Sequence, residues 1–303
     1  MNNTSISIII PAYNRAHTLP RLFESIVGQS YACHEVIVVD DGSTDGTEAL
    51  VKAWAEKCPW PVKYIYQENS GRHAAHNTGV SRASGELTFP VDSDDWLPED
   101  SLAIVRETWE GIPAEQRAQY AGVEGLCAFG DGKVSGTLYP EDVFDSDYIR
   151  TRYEQGVYGD RKSALRTCLL KEYLYPVFEG EKHIRDSFIW KELALKYRTR
   201  YINKVLQFIE YQADGLSADP FKMRTGNPQG FAHYFFHDVT RFQKDARFSV
   251  RHDSMVKFIR YSFLAGRGVA EQRKQVAGLL WWSALPLGWI KYKRDCRKLK
   301  QQG

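Results

Sequence analysis

Apolar runs alternate with amphipathic stretches through the first ninety residues. Ile6-Ser7-Ile8-Ile9-Ile10 is a β-branched run closed by Pro11 and predicts a buried strand. Leu19, Leu22, Phe23, Ile26 and Val27 then form one helical stripe across residues 18–29. Residues 36–39 predict a second buried strand that ends in Asp40-Asp41-Gly42-Ser43, with Ser43 or Thr44 capping a helix over 45–57. A third strand is expected at 62–67, a helix at 71–83 closed by Ser84-Gly85, and a fourth strand at 86–91. Four strand–helix alternations in about ninety residues predict parallel βαβ units in a doubly wound sheet. Beyond them a strand is expected at 121–129, followed by a turn at Gly130-Asp131-Gly132-Lys133. Helices are expected at 163–171 and 189–196 and a strand at 205–211; from about residue 228 the pattern is helical and aromatic.

Ligands of such sheets bind beyond the carboxyl ends of the strands. Three of those ends are Pro11-Ala12-Tyr13-Asn14, Asp40-Asp41-Gly42-Ser43 and Val91-Asp92-Ser93-Asp94, so polar and acidic residues gather where a ligand belongs. Asp92, Asp94 and Asp95 place three carboxylates within four residues. Anions that close repel one another unless a cation sits among them. Hard oxygen ligands suit Mg2+ or Mn2+, which bridge phosphate oxygens, so a metal–diphosphate site is the leading reading.

Composition narrows the setting. The chain has 303 residues, 43% hydrophobic and 26% charged, as ordinary globular proteins do. Its net charge of +2 is unevenly spread: residues 251–303 hold twelve Lys/Arg against three Asp/Glu, a net +9, which leaves −7 for residues 1–250. The five cysteines are widely spaced and form no CxxC pair, which argues against a disulfide framework or zinc site and for a reducing, cytoplasmic compartment. The amino terminus lacks a basic segment before its short apolar run, and no run reaches transmembrane length.

Pro11-Ala12-Tyr13-Asn14, Val38-Val39-Asp40-Asp41-Gly42-Ser43-Thr44-Asp45, Asn77-Thr78-Gly79 and Asp92-Ser93-Asp94-Asp95 occur in that order. The chain resembles glycosyltransferase family 2, specifically over residues 5–100 and more weakly to about 220, through Asp186-Ser187-Phe188-Ile189-Trp190 and Asp214-Gly215-Leu216-Ser217. The resemblance implies a GT-A fold: an α/β, mostly parallel sheet sandwiched by helices over residues 1–220, with a helical extension over 221–303. It implies an inverting enzyme that takes a nucleotide (UDP) sugar and a divalent cation, Mn2+ or Mg2+. By that pattern Asp41 binds the uracil imide, Pro11, Tyr13 and Asn14 wall the nucleotide pocket, Asp92 faces the ribose or a metal-bound water, Ser93 borders the nucleotide sugar, and Asp94 ligates the metal. Asp186 matches the family's catalytic base, although the family often has two adjacent acids where this chain has Arg185-Asp186; Asp160 is the rival. Arg72 and His73 stand where similar proteins carry basic residues toward the nucleotide. The expected acceptor is a hydroxyl of a glycan or lipid-linked glycan in surface polysaccharide synthesis.

Two other classes compete. A nucleotidyltransferase usually shows a Gly- and Arg-rich loop after its first strand, where this chain has Pro11-Ala12-Tyr13-Asn14-Arg15. A non-catalytic nucleotide-sugar-binding protein would keep the pocket alone. Residues 276–290 carry no charge and include Trp281, Trp282 and Trp289, followed by Lys291, Lys293 and Arg294. Tryptophans beside basic residues suit a helix lying on an anionic membrane, so 276–303 is expected to make peripheral contact on the cytoplasmic face. The acidic body and the lack of a nucleic-acid motif exclude nucleic acid as partner. His233 and His237, four apart, lack the glutamate of a metalloprotease helix and read as ordinary helical histidines.

Overall fold

The computed structural model describes residues 4–212, 219–244 and 246–302. The chain forms two compact units, Met1–Tyr175 with Ile189–Gln212, and Pro176–Phe188 with Ala213–Gly303. The first unit is built on eight strands: β1 (Ile6–Ala12), β2 (Glu35–Asp40), β3 (Val62–Tyr66), β4 (Leu87–Pro90), β5 (Tyr120–Phe129), β6 (Val143–Ser146), β7 (Arg161–Arg166) and β8 (Arg198–Ile209). They lie in the order β3-β2-β1-β4-β7-β5-β8-β6. The first four are parallel, β7 runs antiparallel between β4 and β5, β8 is parallel to β5, and β6 closes the edge antiparallel. Among the helices, α1 (Leu19–Val27), α2 (Thr47–Ala55), α3 (Arg72–Arg82) and α4 (Ser101–Glu110) follow the first four strands; α5 (Tyr148–Tyr153), α6 (Thr167–Glu172) and α7 (Ser187–Ala194) come later. Ile6, Ile8 and Ile10 pack with Leu22, Ile26, Val51, Leu102 and Trp109, so α1, α2 and α4 cover one face. The alternate residues, Ile9 and Val39, meet α3 on the other. The sheet is therefore mixed, mostly parallel and helix-flanked.

Three local expectations change. The strand runs on through Pro11 to Ala12, because β4 has already left the ladder there. Ile9 accepts from Val91 on the β4 side, so Pro11, two residues on, turns its missing N–H to the same vacated edge. Gly46, not Ser43 or Thr44, is the N-cap of α2; Asp45 accepts from the Thr47 N–H at 3.0 Å instead. The helix expected at 163–171 is β7 followed by α6, since this segment fills the gap between β4 and β5, and its Lys and Arg residues mask a strand buried on both faces.

At the amino ends of the parallel strands Glu35 acts as a staple. It accepts from Ser7 Oγ at 2.8 Å, from the Ser84 N–H and Oγ at 2.7 Å each, and from Lys63 Nζ at 2.5 Å. Burial alone would raise its carboxyl pKa, but these donors outweigh it and bring it down to about 2.

The second unit is helical: α8 (Pro220–Thr225), α9 (Pro228–His237), a π-helical turn at Asp238–Phe242, α10 (Phe248–Leu264), α11 (Val269–Gln275) and α12 (Leu279–Gln302). The Glu181 carboxylate accepts from the Gln229 and Gly230 N–H groups at 2.6 and 2.8 Å, satisfying the first turn of α9 and its dipole. His233 and His237 pack at 4.5 Å between centroids in an aromatic cluster with Phe188. Among the described residues no helix is long and apolar enough to cross a membrane. The Asp214-Gly215-Leu216-Ser217 motif lies outside the described residues.

Candidate active site

The carboxyl ends of β1 and β2 are sewn together by side chains. Asn14 holds a left-handed backbone (φ 52°), where its short polar side chain is tolerated. Its N–H donates to Ser43 Oγ at 2.9 Å and its Oδ1 accepts from the Thr44 N–H at 2.8 Å. Tyr13 beside it is exposed, and Pro11 is buried in the strand. Asp41 is buried and accepts from Gln67 Nε2 at 2.7 Å, the Ser70 N–H at 2.9 Å and the Gly71 N–H at 2.8 Å. Gln67 is itself oriented by Thr78, whose hydroxyl donates to its Oε1 at 2.7 Å. Gly42 (φ 83°) and Gly71 (φ 93°) make this approach possible: a Cβ on Gly42 would sit 2.8 Å from the Asn69 nitrogen.

Gly71 is the N-cap of α3, and Arg72 starts the helix. From there the Arg72 guanidinium reaches Asp92 Oδ1, with Nε at 2.7 Å and Nη2 at 2.5 Å. Asp41 and Asp92 thus meet across two consecutive residues of one helix start. Lys162 of β7 approaches Asp92 from the other side, its Nζ 3.7 Å from Oδ2 while donating to the Pro90 carbonyl at 2.8 Å. Burial disfavours the Asp92 anion, but the two cations win and hold its carboxyl well below the usual range.

The neighbouring acids behave differently. Asp95 is buried, accepting from Gln207 Nε2 and, at 3.1 Å, from the Glu210 N–H. Burial first, and then the charge of Asp92, push its carboxyl up to about 8, so it is mostly protonated at neutral pH. Asp94 is half-buried, and no side chain among the described residues donates to its carboxylate; its backbone carbonyl accepts from Arg21 Nη2 at 2.7 Å. Burial and then Asp92 raise the Asp94 carboxyl. The Ser93 carbonyl accepts from Thr18 Oγ1 at 2.8 Å, tying this turn to the start of α1. The three-carboxylate repulsion read from the sequence is therefore relieved by two cations at Asp92, by burial that favours the neutral carboxyl at Asp95, and only in part, by Arg15 and Arg72, at Asp94.

A cation at this rim would meet the Asp94 carboxylate: its anion is disfavoured by burial and by neighbouring Asp92, and a divalent metal would reverse that penalty. Among the described residues no group of three or more His, Cys, Asp or Glu gathers to hold a metal, so most ligands would have to come from diphosphate oxygens and water, as is usual for Mg2+.

His73 is buried on α3 one residue after Arg72. Asp186 is exposed in the second unit immediately before α7. Asp160 is exposed in the first unit and accepts from Ser135 Oγ and Tyr211 Oη at 2.8 and 2.7 Å. The Trp190 indole N–H donates to Glu124 and Ser163. Residues that the sequence reading passed over include Lys162, Arg21, Glu124 and His76. Arg21 lies 3.9 Å from the Trp96 ring and pairs with Glu210 at 2.7 Å. Glu124 accepts from Tyr139, Ser163 and Trp190 with its carboxyl raised by burial. His76 is buried between charges, its pKa lowered to about 3 by burial and by Arg72, so it stays neutral. A lone acid inside the apolar run Tyr120–Phe129 was the available signal for Glu124.

A helix-flanked, mostly parallel sheet with acidic turns at its carboxyl ends defines a GT-A fold, and solved structures agree. The structure matches S. aureus TarS residues 1–349 in complex with UDP-GlcNAc at a TM-score of 0.61, 17% identity, covering 98% of this chain and 92% of that one. It matches the mannosyltransferase PcManGT from Pyrobaculum calidifontis, in complex with GDP-Man and Mn2+, at 0.57 and 20% identity, covering 100% and 85%. Residues 7–116 match the family model "Glycosyl transferase family 2", so the chain carries a domain of that family. Streptococcus pneumoniae glycosyltransferase GlyA is 34% identical over 224 residues, 70% of this chain and 31% of that protein. The Campylobacter jejuni GalNAc(5)-diNAcBac-PP-undecaprenol beta-1,3-glucosyltransferase is 27% identical over 212 residues, 67% of this chain and 63% of that protein. The chain spans about a third of the length of the first curated relatives, 30–40% in each case.

Proposed function

We propose that the chain transfers a hexosyl or N-acetylhexosaminyl group from a UDP-sugar to a hydroxyl of a glycan or lipid-linked glycan, with inversion, in surface polysaccharide synthesis. The observation that carries this is the Asp94 carboxylate, which no side chain among the described residues donates to, beside Asp92 held by Arg72 and Lys162. The UDP-GlcNAc and GDP-Man complexes of the two structural neighbours, and the undecaprenol-linked acceptor in the Campylobacter name, support the same class. When bound at Asp94, Mn2+ or Mg2+ would neutralise charge on the departing diphosphate.

The chain's own residues supply the rest. Asp41 Oδ2 takes one hydrogen bond, from Gly71, and keeps a lone pair for an imide N–H. The exposed Tyr13 ring, Pro11 and Asn14 wall the base, and Asp92, Ser93, Arg72 and His73 border the ribose and phosphates. Asp186 takes the proton of the acceptor hydroxyl as that oxygen attacks the anomeric carbon and the bond to the diphosphate breaks, its electron pair leaving with UDP. The transferase domain is assigned to residues 1–220, with residues 176–188 packing in the second compact unit, and the extension over 221–303 makes peripheral contact with an anionic membrane.

The test is UDP release from UDP-sugars with Mn2+, with and without glycan acceptor. Asp94→Ala should abolish metal-dependent UDP binding; normal metal-dependent affinity in that variant refutes the ligand role. Asp186→Asn should lower kcat by on the order of a hundredfold or more while UDP still binds; surviving turnover places the base elsewhere. Pyrophosphate release from UTP and a sugar phosphate would make the chain a nucleotidyltransferase, and binding without any turnover a binding protein.

A further inference from the structure

The last helix has two unlike faces. Trp281, Ala284, Gly288 and Asp295 are buried on the side toward α10. Arg260 and Asp295 lock that side with two charge-assisted bonds of 2.5 and 2.7 Å, and a Cβ on Gly288 would lie 2.6 Å from Ile259. The opposite face is exposed along its whole length. Leu279 (88% exposed), Trp282 (48%), Trp289 (48%) and Ile290 recur at helical spacing, and Lys293 and Arg297 continue the same line. The apolar part covers twelve residues, roughly 18 Å of helix, with the basic part following directly. Cations flank the indoles: Arg273 sits 4.9 Å from the Trp282 ring and Lys293 5.3 Å from the Trp289 ring.

We infer that this face of α12 lies on an anionic lipid surface, with Trp282 and Trp289 at headgroup depth and Lys293 and Arg297 against lipid phosphates. Charge decides between a bilayer and a second copy of the chain. Two such faces packed in parallel would oppose Lys293 and Arg297 with their own kind. Packed antiparallel, they would bury those cations against leucine and tryptophan. An anionic bilayer accepts both halves at once, with the indoles in the interface and the cations attracted to the surface potential. The helix is too polar to span, so it rests in the plane of the interface.

The experiment is co-sedimentation of the full chain with vesicles of phosphatidylcholine alone and of phosphatidylcholine with phosphatidylglycerol at 7:3, at low and at 0.15 M salt. The chain should bind the anionic vesicles and release as salt rises. Lys293→Glu with Arg297→Glu should reduce partitioning by at least tenfold, since each neutralised charge alone is worth about fivefold. Trp282→Ser with Trp289→Ser should also reduce it at least tenfold, with an unchanged circular dichroism spectrum because both rings are exposed. Failure to bind anionic vesicles at low salt overturns the inference, as does binding that both double variants retain. A dimer in solution that the same variants dissolve would assign the face to a second copy and overturn it equally. None of these readouts depends on transferase activity.

Discussion

Glu35→Gln separates scaffold from site. Glu35 is buried at the amino ends of the parallel strands, whereas the proposed chemistry lies at their carboxyl ends. Its four donors lower the carboxyl from its ordinary value of 4.5 to about 2. Two and a half pH units correspond to about 3 kcal/mol. Lys63 is half-exposed and partly screened, so about 2 kcal/mol is the share expected to survive in physiological salt. Between pH 2 and 4.5 the folded chain binds fewer protons than the unfolded chain. The stabilisation is therefore complete above the ordinary carboxyl pKa and is lost as pH falls toward 2. Glutamine keeps the shape, loses the charge and turns an amide toward Lys63. At pH 7 the variant should lose about 2–3 kcal/mol, a fall of roughly 5–10 °C in Tm for a unit of this size. Thermal melts of both proteins followed by circular dichroism from pH 7 to pH 3 should show the two curves converging as the wild type loses its advantage, while UDP affinity at pH 7 stays unchanged. A stability gap that does not vary with pH would refute the electrostatic account. Weakened UDP binding at unchanged stability would refute the separation of scaffold from site.

Lys162→Met removes one of the two cations on Asp92 and the bond to the Pro90 carbonyl. It should cost about 1–3 kcal/mol in urea unfolding, and donor KM should rise because Asp92 is held only by Arg72; an unchanged KM would make Lys162 purely structural. Gly42→Ala forces a side chain into a left-handed turn 2.8 Å from the Asn69 nitrogen. It should destabilise by about 2 kcal/mol or more and weaken UDP binding, since the 67–71 segment also carries Asp41's donors; calorimetric titration with UDP and urea melts check both.

The first four strands were legible because each is a local apolar run followed by a helix with its own 3.6-residue stripe, and their acidic ends follow from position alone. The parts that escaped are non-local. Lys162 lies seventy residues from Asp92 and reaches it only because β7 inserts antiparallel beside β4. The same insertion turned an expected helix into a strand, since Arg161, Lys162 and Arg166 break the apolar pattern that marks buried strands elsewhere. The three adjacent acids looked equivalent in the sequence. Their different states come from Arg72 and Lys162, which reach Asp92 from distant parts of the chain, and from the unequal burial of Asp94 and Asp95.

That allocation of charge has a consequence for metal binding. Burial favours the neutral form of Asp95, Arg72 and Lys162 face Asp92, and Arg15 and Arg72 partly offset Asp94, so acids and cations are already interleaved before any ligand arrives. A divalent cation alone would add two positive charges beside these fixed cations and meet the single Asp94 carboxylate. A diphosphate alone would be drawn by Arg72 but repelled by Asp94. Together they cancel, so each should tighten the other by the same factor, at least tenfold or about 1.4 kcal/mol. Mn2+ titrated by electron paramagnetic resonance should bind weakly to the free chain and at least tenfold more tightly with saturating UDP, and Asp94→Asn should erase the difference. Tight Mn2+ binding without nucleotide would mean that further protein ligands converge on the ion, and the single-carboxylate account of this site would be wrong.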